Sequence, residues 1–235
     1  MGFFQDMLKV FQKRDVTFIE SFKESDYAYS FLFEQEKDVN WIAGQHGLFT
    51  IVHKKIKNPL KPFTVASAPS ENVIRLTMGV GKEPSEFKQA MLELTPGMKV
   101  KMSGPVGGFS LQDHSPAVLI AGGMGITPFR SILKQLEAEG KLKGNSIHLL
   151  YMDSQKSYLF KDELDAFANE RSVHVSYLDS RDDLQREIGQ LAAQYKDSAK
   201  YLIAGPKAMV DSLSKELQNK QISKRNIKKD AFFGY

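Results

Sequence analysis

Apolar positions recur along this chain with two different periods. In the first half they alternate. In Tyr27-Ala28-Tyr29-Ser30-Phe31-Leu32-Phe33 every odd position is aromatic, the period of two that marks a strand with one buried face. Similar short runs, broken by turn residues, occupy 16–22, 48–53, 73–80 and 100–103. Their close spacing predicts a small antiparallel barrel. From about residue 116 the pattern changes. Apolar runs at 117–121, 147–151, 173–178 and 201–204 alternate with segments of helical period near 128–139, 159–169, 184–195 and 207–219. That alternation predicts a parallel sheet with crossover helices. The polar stretch 111–115 reads as the linker, so the expected domains are 1–112 and 115–235.

The first residues stand apart. Phe3, Phe4, Met7, Leu8 and Phe11 fall at helical spacing, with Lys9, Lys13 and Arg14 nearby. Packing against the body of the protein is expected, and a membrane-surface helix over 3–11 is the alternative.

Composition narrows the chemistry. The chain has 235 residues, 32 Lys+Arg against 28 Asp+Glu, and no cysteine. Without cysteine there is no disulfide framework, thiolate zinc site, Cys-ligated iron–sulfur cluster or cysteine nucleophile. No apolar run reaches membrane-spanning length and the start lacks a signal-peptide pattern, so a cytoplasmic location is expected. A net charge of +4 is small for a nucleic-acid binder, and no nucleic-acid partner is expected. Lysines cluster at Lys54, Lys55, Lys57 and Lys61 and again from Lys220 to Lys229. Such clusters are solvated faces or attract an anionic cofactor or partner. His46, His53, His114, His148 and His174 are scattered, and no metal site is expected.

The strongest local motif is Ala117-Val-Leu-Ile-Ala-Gly-Gly-Met-Gly-Ile-Thr-Pro128. A buried strand runs into glycines and then a helix, with Thr127 read as N-cap and Pro128 as the first helical residue. Gly122, Gly123 and Gly125 would let phosphates approach backbone N–H groups at a helix N-terminus. The sequence departs from G-x-G-x-x-G at Pro128. A second strand-to-helix turn follows at Gly205-Pro206, with Met209 four residues on. Both turns fall at the C-terminal ends of expected parallel strands, where open α/β sheets bind ligands. In the barrel half, Lys61-Pro62-Phe63-Thr64 alternates a cation, a ring and a hydroxyl along a strand. Downstream of Val80, Gly81-Lys-Glu-Pro-Ser-Glu-Phe-Lys88 opens a helix able to receive a second phosphate. Gly104-Pro-Val-Gly-Gly-Phe109 closes the half.

In this order and spacing the motifs resemble those of the ferredoxin–NADP reductase superfamily over about 15–235. The resemblance implies a six-stranded antiparallel Greek-key flavin barrel followed by an α/β nucleotide domain. It implies FAD, with NADPH or NADH as reductant, and hydride transfer from nicotinamide to flavin N5. Thr64 takes the place of the serine near N5. Phe63 replaces a tyrosine that packs on the isoalloxazine, Lys61 replaces an arginine on the flavin phosphate, and Pro62 lies between them. Ser85, Glu86 and Phe87 stand at the pyrophosphate, and Gln45 and His46 lie in a segment like the family's strand before the flavin loop. Ala204 stands where many members carry a cysteine. Phe232 or Tyr235 is implied as the aromatic that stacks on the flavin. Ser180-Arg181 resembles a 2′-phosphate site and favours NADPH, whereas Asp153 points toward NADH.

The expected function is an FAD-dependent NAD(P)H oxidoreductase that passes electrons to a separate redox acceptor. An electron-transfer subunit active only when docked to a partner is the alternative, and a flavin-free nucleotide-binding module is a third reading.

Overall fold

The computed structural model describes residues 12–35, 39–111, 115–169 and 173–232. It divides into two units, one up to Ser110 and one from Leu111. The Phe-rich segment 3–11, most of the linker, Phe233 and Tyr235 lie outside the described residues.

The first unit has six strands: β1 (Lys13–Ser25), β2 (Ala28–Glu34), β3 (His46–Thr50), β4 (Leu60–Thr64), β5 (Val73–Gly79) and β6 (Lys99–Val106). Their order is β4-β3-β6-β1-β2-β5, with every neighbouring pair antiparallel. Just beyond β4, the Ala66 N–H donates to Arg75 O at 2.8 Å, which draws the two outermost strands together toward closure. The alternation expected at 27–33 holds in its second half, where Phe31 and Phe33 are fully buried in the core with Val16, Phe18, Phe49, Ile74 and Leu76. In its first half the even residues Ala28 and Ser30 are buried and Tyr27 and Tyr29 are half-buried. Helix α1 (Glu86–Leu92) adds Phe87, Ala90 and Met91 to the same core. Strand β3 stops at Thr50 rather than reaching His53, because the Ile51 N–H turns to Pro59 O at 2.9 Å and begins the loop.

The second unit is a five-stranded parallel sheet. Its strands are β7 (Ala117–Gly122), β8 (Ile147–Met152), β9 (Val173–Leu178), β10 (Lys200–Pro206) and β11 (Ile227–Phe232), in the order β11-β10-β7-β8-β9. The crossovers carry α2 (Ile126–Ala138), α3 (Lys161–Ala168), α4 (Arg181–Tyr195) and α5 (Lys207–Asn219). Leu184, Ile188 and Leu191 of α4 and Val210, Leu213 and Leu217 of α5 share one core with Val118, Ile120, Tyr201 and Ile203. Helices α2 and α3 are joined by the buried Arg130, whose guanidinium meets Glu163 at 2.8 and 3.1 Å and lies 5.4 Å from the Phe160 ring. The four expected strands are present, and the unexpected fifth, β11, is an edge. Helix α4 begins at Arg181, three residues before its expected start, because the Ser180 hydroxyl caps it by accepting from the Asp183 N–H at 3.1 Å. Among the described residues no helix is long and apolar enough to cross a membrane.

Candidate functional site

The barrel unit gathers its sequence-predicted residues around β4. Antiparallel pairing sets His46 opposite Thr64, Gly47 opposite Phe63 and Phe49 opposite Lys61. Directly opposed residues share a face, so Phe63 lies on the core side. Its ring stacks on Phe87 (centroids 5.5 Å apart) and meets Phe49 edge-on at 6.3 Å. The ring ties β4 to α1 and stays half-buried, so these contacts do not occupy all of its surface. Thr64 is on the other face, 8% exposed, and its hydroxyl finds no hydrogen-bond partner among the described residues. Its neighbours there are fixed. Gln45 accepts from the Ile42 N–H at 2.9 Å and donates to Gly107 O at 3.1 Å, and a side chain at Gly107 would come within 3.1 Å of His46 Nδ1. Burial holds the His46 imidazole below its usual value, so it is neutral at pH 7.

A cationic corner lies beside α1. Ser85 is the N-cap, with its hydroxyl 3.5 Å from the Lys88 N–H. The ammonium of Lys88 is held below the usual lysine range by burial and by repulsion from Lys61. Two ammonium groups drawn together at a helix start are the charge pattern of an anion site. Lys88 was missed in the sequence because only the fold brings it to Lys61. Glu86 faces elsewhere: its carboxylate accepts from the Lys57 N–H at 2.9 Å and, with the Lys54–Glu93 pair at 2.7 Å, holds the lysine-rich loop on α1. Phe87 is buried, leaving only its backbone for a ligand. The Val80 N–H donates to Tyr27 O, and its side chain packs on the core.

In the α/β unit the two glycine turns build each other. A Cβ on Gly125 would lie 2.1 Å from Ala204 O, and one on Gly122 would lie 2.4 Å from Met209 Sδ. A Cβ on Gly205, whose φ is +151°, would lie 3.1 Å from Gly122 O. These glycines are therefore required by the crossing of the β7 and β10 ends. Of the glycines in these two turns, Gly123 is the one with a left-handed φ, +51°, and open space at its missing Cβ, so its backbone is bared. The cap assignment is corrected too: α2 begins at Ile126 after Gly125. Thr127 is buried inside the first turn, where its hydroxyl donates to Met124 O at 3.0 Å, and Pro128 is the third helical residue.

Around this turn, Pro206 is exposed at the start of α5, and Phe232 ends β11 opposite Pro206. Asp153, 8% exposed beyond β8, accepts from the Gln155 N–H at 2.8 Å. The Ser180 hydroxyl serves α4, and Arg181 is exposed in the first turn of that helix beside an Asp179–Lys156 pair at 2.5 Å. Asp230 was not singled out from sequence. It pairs in register with the fully buried Ala204, and burial pushes its carboxyl up to about 6. The observations fit the two cofactors unit by unit: an unpartnered hydroxyl and a cationic corner in the barrel, a bared glycine turn in the sheet.

Comparisons with known proteins bear on the family and the fold. Residues 119–215 match the family described as Oxidoreductase NAD-binding domain. An NAD(P)H-flavin reductase of Vibrio harveyi is 30% identical over 226 residues, which cover 87% of this chain and 92% of that protein. A flavohemoprotein of Oceanobacillus iheyensis is 24% identical over 242 residues; the match takes in 93% of this chain but only 59% of that longer protein. The fold of a ferredoxin NADP+ reductase from Neisseria gonorrhoeae, solved with bound FAD and NADP, superposes with a TM-score of 0.77 at 17% identity, covering 94% of this chain and 99% of that one. The chain belongs to the ferredoxin–NADP reductase superfamily of NAD(P)H-dependent flavin oxidoreductases.

Proposed function

We propose that the barrel unit holds FAD on β4 and α1, that the sheet unit holds NAD(P)H at the Gly123 turn, and that electrons leave to a separate acceptor. When bound, nicotinamide and flavin would supply the hydride and electron-transfer chemistry. The residues bind and orient. Lys61 and Lys88 neutralise phosphate charge beside the Ser85 cap. Lysine supplies charge without the bidentate fork of arginine, so this grip is weaker than a guanidinium's. Thr64 offers its unpartnered hydroxyl from a nearly buried position, with His46 and Gln45 fixing the strand beneath it. At the other cofactor the Gly123 backbone and the start of α2 receive phosphate. Asp153, Ser180 and Arg181 line the ends of β8 and β9, and Gly205, Pro206 and Met209 shape the turn beneath. Phe232 ends β11 beside them.

The observation that carries the reading is the unpartnered hydroxyl of Thr64, a residue only 8% exposed, on the strand that also bears Lys61. Thr64→Val tests it. Flavin content should stay near wild type while anaerobic flavin reduction by NAD(P)H slows by about tenfold or more, the loss of one hydrogen bond to a reacting centre. An unchanged stopped-flow rate would remove Thr64 from the mechanism. A second reading, a component active only when docked, is favoured by the exposed cations Lys220, Lys224, Arg225 and Lys229. Steady-state NAD(P)H oxidation with ferricyanide separates the two, since turnover by the purified chain excludes obligate docking.

A further inference from the structure

The two edges of the parallel sheet differ in a way the redox reading does not use. Edge β11 reads Ile-Lys-Lys-Asp-Ala-Phe, with Lys228 and Lys229 side by side. Charges of this kind are how sheets guard a free edge. Edge β9 reads Val-His-Val-Ser-Tyr-Leu, without lysine, arginine, carboxylate, proline or glycine. The C=O of Leu178 accepts from the Asp153 N–H at 2.9 Å on the β8 side. Backbone groups alternate in direction along a strand, so residues 174, 176 and 178 serve β8. Val173, Val175 and Tyr177 then aim their N–H and C=O outward, where they bond to no other described residue.

We propose that β9 is a self-association edge, taking β9 of a second copy of this chain in antiparallel pairing about a two-fold axis through Val175. On such an axis an edge meets only itself. Lys228 and Lys229 would then meet like charges, whereas β9 carries nothing that repels its copy. The outward groups allow one register that uses all of them. Val175 faces Val175 of the partner subunit and Val173 faces Tyr177 of the partner subunit, each pair exchanging both N–H···O bonds. His174, stacked on His148 at 4.9 Å, then lies across from Ser176 of the partner subunit. The two sheets would run on as one.

This inference stands apart from the redox function, and so does its test. Sedimentation velocity of the full flavin-loaded chain, from about 1 to 100 µM, should show a concentration-dependent dimer. Val175→Pro removes an N–H that points outward, so the bonds to β8 survive, and it should weaken dimerisation at least tenfold with flavin content unchanged. Val175→Cys supplies a second readout should the proline variant fail to fold. The chain has no other cysteine, and a hydrogen-bonded antiparallel pair sets its Cα atoms about 5.5 Å apart, within disulfide reach. Oxidation should give a cross-linked dimer, while Lys228→Cys on β11 should not. A wild-type chain that is monomeric at about 100 µM overturns the proposal. So does a dimer that Val175→Pro leaves intact and Val175→Cys fails to capture.

Discussion

Gly125 and Gly123 are two residues apart, yet their replacement by alanine should fail in opposite ways. At Gly125 the new methyl would sit 2.1 Å from Ala204 O, 2.5 Å from Ala204 C and 2.8 Å from Gly205 N. All three atoms are backbone in β10, a central strand, and none can rotate away. Relief requires moving the start of α2 off the sheet, where Ile126, Phe129 and Leu133 are fully buried. Overpacking of this kind costs about 1–3 kcal/mol and more where rigid backbone must shift, so we expect about 3 kcal/mol for Gly125→Ala. In a domain of this size each kcal/mol lowers Tm by about 3–5 °C, giving a fall of about 10 °C. At Gly123 the methyl meets nothing within 4 Å. The only cost is holding alanine at a φ of +51°, about 1–2 kcal/mol, and the methyl projects into the space assigned to the nicotinamide cofactor. Gly123→Ala should therefore melt about 3–10 °C below wild type, less than Gly125→Ala, while its KM for NAD(P)H rises. Thermal melts followed by near-UV dichroism, paired with steady-state kinetics, read both effects. If Gly125→Ala melts with the wild type, the close crossing of β7 and β10 is wrong and the glycines must be explained by the ligand.

Three other outcomes follow from the geometry. Neutralising Lys61 and Lys88 together by glutamine should weaken FAD binding by about 10- to 100-fold, the worth of charged hydrogen bonds to phosphate, as read by fluorescence titration of the apoprotein. Arg130→Met should cost about 1–2 kcal/mol in urea unfolding, since Glu163, which is 29% exposed, loses its close ion pair and keeps Lys134 at 3.9 Å; adding Glu163→Leu should restore most of the loss. Asp230, with its carboxyl pushed up to about 6, binds its proton more tightly folded than unfolded. Its contribution to stability is present below about pH 4 and is lost as pH rises through 6. The loss is of the order of 2–3 kcal/mol, so Asp230→Asn should flatten the stability profile over that window.

How far the sequence could be read follows from how local each cause is. The strand Tyr27–Phe33 and the crossover helices declare themselves by period, because burial on one face is written into neighbouring residues. The Lys61–Thr64 strand and the glycine turns were legible as motifs, but the reasons behind them were not. Gly122, Gly125 and Gly205 are small because β7 and β10 cross closely, a fact about residues some eighty positions apart. Lys88 acquires meaning only beside Lys61, and Asp230 only when β11 is set next to β10. The partner of Phe63 was hidden for the same reason: alternation gives its face but not that Phe87 waits on that face. Strand β11 was hidden because its lysines break the apolar pattern, as suits an edge. Thr127 imitated a cap because threonine before proline suits either a cap or the first turn.

The strand order of the barrel also has a consequence for synthesis. Strand β1 finds β2 as soon as the hairpin emerges, but its other side waits for β6, with Lys13 pairing to Ser103 and Thr17 to Lys99. A chain leaving the ribosome N-terminus first must carry that open side until some ninety further residues have followed, seconds at ordinary translation rates of about 5–20 residues per second. The waiting half of β1 begins Lys-Arg-Asp. Asp15 pairs with Lys101 at 2.9 Å once β6 has arrived; until then these charges discourage nascent chains from pairing with one another.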